Sequence, residues 1–170
     1  PLGIAADSKD DIYIVDIGNS RIAKYSNAGV LKKIWGAPGT TDGAFAYPVA
    51  VAVNQKDEIF VLDRGRVQKF SSEGDFISSW GKPGMGDGEF NRPNGIFVDF
   101  NNCIYIADSG NNRVQKFDEN GKFIAKWGAS GTGDGQMTFP SGVAVDMRGY
   151  VYVAERDNNR LQVFGVVPPS

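Results

Sequence analysis

The chain has 170 residues, among them 22 Gly and 8 Pro, and 41% of it is hydrophobic, which excludes a disordered tail, a collagen-like rod and a membrane-embedded sequence. Eighteen basic against twenty acidic side chains leave a net charge of −2, so no global attraction draws it to nucleic acid or to an anionic membrane. It contains no histidine, which removes His-ligated zinc, Ser-His-Asp triads and Cys-His dyads from the chemistry of this chain.

The first repeat, residues 1–47, opens on Pro1-Leu-Gly-Ile-Ala-Ala-Asp7, and the same signature returns at Pro48, Pro93 and Pro140, at spacings of 47, 45 and 47. Trp35, Trp80 and Trp127 keep step, as do Arg21, Arg66, Arg113 and Arg160. The units are therefore residues 1–47, 48–92, 93–139 and 140–165, with 166–170 as a tail. The second unit is two residues short where Asp63-Arg64-Gly65-Arg66 replaces the longer Asp16-to-Arg21 turn. A period of about 46 residues means propellers, solenoids or arrays.

Strand signals decide among these. Each unit holds four short β-type runs separated by Gly, Asn and Asp turns, with no sustained helical period. In the third they are Gly95–Asp99, Cys103–Asp108, Arg113–Phe117 and Lys122–Trp127. Four antiparallel strands per unit predict an all-β propeller with about 3.75 blades present, either a partial ring or half of an oligomeric one. The first run is rich in Ala and Gly, which suits an innermost strand crowded at the axis. The second is apolar throughout, as expected where neighbouring blades cover both faces. Cys103 opens such a run and is expected to be a buried structural thiol.

The pattern P-x-G-I-x-V-D, then I-Y-I-A-D-S-G-N-N-R-V-Q-K-F, then W-G-x-x-G-x-G-D-G resembles the NHL repeat, and residues 93–139 are nearly a consensus copy. The fourth unit ends after its third strand, Arg160–Phe164. The resemblance implies a six-bladed ring, about 276 residues at this period. The expectation is then the C-terminal part of such a ring, its outer edge completed by an N-terminal strand; the rival is two copies forming eight blades.

The resemblance also offers functions. Some NHL proteins bind single-stranded RNA, and some NHL-like propellers are peptidyl-α-hydroxyglycine lyases built on His-ligated zinc, a site that four His-free repeats do not build. A lactonase-like Ca²⁺ site would draw on Asp16, Asp63, Asp108, Glu155 and Asn94. Those acids recur with the repeat, each just before Arg21, Arg66, Arg113 or Arg160, and read as a repeated ion-pair network. Trp35, Trp80 and Trp127 read as packing residues. Asp42, Asp87 and Asp134 precede glycines in tight turns and offer too few oxygens for Ca²⁺.

Strand alternation places seven of the eight arginines on one loop face, with eight basic and nine acidic groups. The opposite face has four basic loop residues against eleven acidic ones. The expectation is a scaffold without catalytic residues, metal or cofactor, in an extracellular or cell-surface setting, that binds a protein, peptide or glycan through the arginine-bearing face. Arg64, Arg92 and Arg156 are the candidate ligand-binding residues because the repeat does not dictate them. Further blades of the same polypeptide or a second copy would close the ring. An enzyme completed by other blades is the alternative; RNA binding is a second, and membrane insertion is not expected.

Overall fold

In the computed structural model, which describes residues 1–165, four antiparallel sheets stand side by side as blades. Blade 1 contains β1 (Ile4–Ala6), β2 (Ile12–Asp16), β3 (Arg21–Tyr25) and β4 (Leu31–Trp35). Blade 2 contains β5 (Pro48–Val53), β6 (Ile59–Asp63), β7 (Arg66–Phe70) and β8 (Phe76–Trp80). The short β9 (Lys82–Pro83) and β10 (Glu89–Phe90) pair in parallel within the loop to blade 3. Blade 3 contains β11 (Gly95–Val98), β12 (Ile104–Asp108), β13 (Arg113–Phe117) and β14 (Phe123–Trp127). Blade 4 contains β15 (Pro140–Val145), β16 (Val151–Glu155) and β17 (Arg160–Phe164). The expected closure at the tail, 166–170, lies outside the described residues. No helix among those described is long and apolar enough to cross a membrane.

Side-chain alternation distributes each second strand between two seams. Phe60 and Leu62 of β6 face blade 3, while Ile59 and Val61 face blade 1, so the whole strand is buried. β12 is buried in the same way. In β2 only Tyr13 and Val15 are fully enclosed; in β16 it is Val151, Val153 and Glu155. The expectation of two covered faces therefore holds for the middle blades and for one face of each end blade. Cys103 is half-buried rather than enclosed, and burial, with the Asp99 charge second, pushes its thiol up.

Each seam also receives a residue from the incoming loop: Phe45, Phe90 and Met137 are at most 1% exposed. Phe45 lies 5.7 Å from Phe70, and Phe90 lies 5.7 Å from Phe117. These plugs follow the Asp-Gly turns, so the loops belong to the core as well as to the surface. At the axis the inner strands come close enough that a Cβ on Gly95 would lie 2.9 Å from the Ser141 carbonyl oxygen. The small residues of the first runs permit that approach.

Candidate functional site

The second strand of each blade ends in an acid that is paired across the ladder with the arginine that starts the third. The arginine Nε donates at 2.7 Å to Asp16, Asp108 and Glu155, and at 3.3 Å to Asp63. In blades 2 to 4 the Nη groups continue to loop carbonyls: Arg66 to Thr41 and Ala44, Arg113 to Gly86 and Glu89, Arg160 to Gly133 and Gln136. The acids accept in addition from the N–H groups of Tyr47, Asn91 and Thr138. Blades 2 to 4 thus each clamp the loop that enters them.

This network engages the carboxylates that a Glu/Asn/Asp calcium site would use. Asp108 accepts from Asn91, Asn111, Arg113 and Gln115, and the Asn94 amide donates to Ser109 and to the Arg92 carbonyl. At Glu155 burial opposes ionisation, but Arg160, the Thr138 N–H, Gln162 and Asn158 outweigh it and hold the carboxyl below its usual range. Among the described residues no group of three or more metal-capable side chains converges.

The shortened second-repeat turn makes a different environment. Arg64 stands there at φ 56°, and Arg92, just before Pro93, at φ 47°. Both line a cavity of about 790 Å³ between blades 2 and 3, with Tyr47, Phe90, Asn94 and Phe139. Among the described residues no carboxylate lines it, and neither guanidinium has a hydrogen-bond or ion-pair partner. Arg156 is placed differently. Its Nε is 2.6 Å from Asp157, its guanidinium lies 3.8 Å from the Phe139 ring centre, and it lines a neighbouring cavity of about 430 Å³. The structure therefore brings Arg64 and Arg92 together and leaves Arg156 beside them, already paired.

Tyr47 and Phe139 escaped the sequence reading. They hold the same repeat position as Arg92, immediately before the inner-strand proline, and that varied position was the available signal. The tryptophans pack: Trp35, Trp80 and Trp127 meet Tyr13, Phe60 and Tyr105 edge-on at 6.0, 6.0 and 6.2 Å.

The opposite face needs correction, because counting loop residues alone overstated its negative charge. Strand lysines reach it: Lys24 lies 3.3 Å from Asp11 and 3.4 Å from Glu73, and Lys69 lies 2.8 Å from Glu58. Beneath them Tyr13 donates to Asp7, and burial first, with this bond also contributing, pushes its hydroxyl up to about 12.

Comparison with known proteins fits this geometry. A family profile described as a 6-bladed β-propeller matches residues 39–114, and the NHL repeat profile matches residues 137–164. The chain is a β-propeller that carries an NHL repeat over residues 137–164. Among solved structures, it is similar to a catalytically inactive His-to-Ala variant of virginiamycin B lyase from Staphylococcus aureus with quinupristin (14% identity, 99% of this chain and 56% of that one, TM-score 0.71). It is similar also to a structural genomics protein of unknown function from Bacteroides thetaiotaomicron (16%, 96% and 46%, TM-score 0.77). A third is an auxiliary nutrient binding protein from the same organism (11%, 96% and 47%, TM-score 0.72). At these identities the likeness is one of fold, and the chain spans about half the length of each. No curated protein matches the sequence.

Proposed function

We propose that this NHL propeller is a non-catalytic recognition module that holds a protein, peptide or glycan partner over the seam between blades 2 and 3, with Arg64 and Arg92 as its anchors. The observation that carries this reading is the cavity whose lining, among the described residues, has two unpaired guanidinium groups and no carboxylate. The repeat acids and arginines are spent on the blade-to-loop clamp and are not its instruments. An auxiliary nutrient binding protein of the same fold gives binding a precedent. The lyase neighbour is catalytically inactive as a His-to-Ala variant, and this chain has no histidine with which to do that chemistry. The face offers RNA little: its recurrent tryptophans are packed against the neighbouring rings.

The reading includes further propeller blades, from the same polypeptide or a second copy, against the uncovered faces of blades 1 and 4. The test is a peptide and glycan array probed with the wild-type chain and with R64E/R92E. Binding on wild type and its loss in the double variant at unchanged Tm is the expected result. Hits that survive the double charge reversal would place recognition elsewhere. Quinupristin incubated with the chain is expected to stay intact by mass spectrometry; turnover would reinstate the enzyme reading.

A further inference from the structure

We propose that the cavity between blades 2 and 3 binds an acidic sugar, a uronate-type carbohydrate whose carboxylates meet Arg64 and Arg92 while a ring face lies on the apolar wall; this rests on the recognition reading above. The first ground is local charge. After the second-strand acid the four blades carry Ile17, Arg64, Ser109 and Arg156, and before the inner-strand proline they carry Tyr47, Arg92 and Phe139. The seam between blades 2 and 3 gathers an arginine from each series. The corresponding cavity at the next seam, about 310 Å³, has Ser109 where this one has Arg64, and Asp157 stands in its wall beside Arg92. Of these two cavities, the one that holds both arginines has no carboxylate in its lining among the described residues.

The second ground is the state of those arginines. Two like charges sharing a cavity repel, and an anion between them removes the repulsion. Both sit at positive φ, as Ser20, Asn112, Phe139 and Asn159 do at turns of the other blades, so the repeat's own turn geometry holds the two arginines in place.

The third ground is the wall. Pro83 and the exposed Met85 give an apolar surface, and Tyr47 is 57% exposed beside them. Among the described residues the Tyr47 hydroxyl and the Asn94 amide oxygen have no hydrogen-bond partner, which leaves groups to meet sugar hydroxyls. A bare inorganic anion would leave the apolar wall unused. A nucleic acid would need more than two free cations along its phosphates. A volume of about 790 Å³ accommodates two or three pyranose units, within the usual range for small-ligand sites.

The experiment is calorimetric titration of the chain with digalacturonate, with neutral galactobiose and with a diglutamate peptide, repeated for R64Q and R92Q. Both substitutions fall at exposed positions, so folding is checked by an unchanged Tm. The expected result is saturable binding of digalacturonate, weakened about 10-fold by either substitution and weakened further by salt, with galactobiose at least as weak as the variants. Failure of digalacturonate to bind, or binding indifferent to both substitutions, overturns the proposal. Equal binding of the diglutamate peptide overturns the sugar assignment while leaving the two-arginine recognition site standing. Array hits that depend on Arg64 and Arg92 but include no acidic sugar do the same, so the two readings fail separately.

Discussion

Asp108 is fully buried, and its charge is answered by Arg113, itself 7% exposed, and by three further donors. Replacing it with Asn leaves that guanidinium buried without a counter-charge. We expect D108N to lose about 3–5 kcal/mol in urea unfolding, the usual cost of breaking a buried pair from one side. D16N removes the same pair from blade 1, where Arg21 is 39% exposed and reaches no loop carbonyl among the described residues. Its cost should be several-fold smaller than that of D108N, because water screens what remains. Equal losses would mean that the clamp to the incoming loop adds nothing.

The same groups set the response to acid. Glu58, Asp16 and Glu155 all have carboxyls held below their usual range. At Glu58 burial opposes ionisation and Lys69 with Asn54 outweighs it; at Asp16 the Asn19 hydrogen bond leads and Arg21 follows. A folded-state pKa below the unfolded one contributes stability that is present above the unfolded value and lost as pH falls through the folded one. The Tm should therefore hold from pH 7 to about 5 and drop below pH 4, with E155Q showing a shallower acid limb. A profile flat to pH 3 would show that these pairs add no net stability.

At the scale of the element, the turns between third and fourth strands join one blade to the next. Gly121 sits at φ 82°, and a Cβ there would come within 2.4 Å of the Trp80 ring. Gly88 has a similar φ of 77° with nothing within 4 Å. G88A should thus cost about 1 kcal/mol for the left-handed backbone alone. G121A should cost about 2–4 kcal/mol, since it also displaces a packed indole. The pair of unfolding curves separates backbone conformation from seam packing, and equal losses would show that the indole moves aside freely. The strands themselves were legible to within a residue because their alternation and turn glycines are local signals. The plugs Phe45, Phe90 and Met137 were not, since nothing local says that a residue after an Asp-Gly turn will cross into a seam.

At the scale of the molecule, three seams repeat one interface, and the faces of β2 and β16 that lack a neighbour among the described residues are its two halves. Ile4 on the blade 1 side and Leu161 on the blade 4 side are 68% and 60% exposed. Apolar faces of this kind associate in water. Light scattering over a concentration series should give masses above the 18.4 kDa of the chain, rising with concentration or settling at a discrete dimer. A well-folded monomer throughout would show that the end faces need no cover and would count against both blade-completing readings.

The sequence by itself determined the repeat, its four strands and the pairing of each second-strand acid with the following arginine, because a period of about 46 residues and strand alternation are written along the chain. It also marked Arg64, Arg92 and Arg156 as departures from the pattern. Only the tertiary structure decided which departures act together. Arg64 and Arg92 lie in different repeats and meet at one seam, whereas Arg156 is taken by Asp157 and Phe139. Contacts between residues far apart in the chain depend on how one blade is laid against the next, and that is fixed by seam packing rather than by any local run of residues.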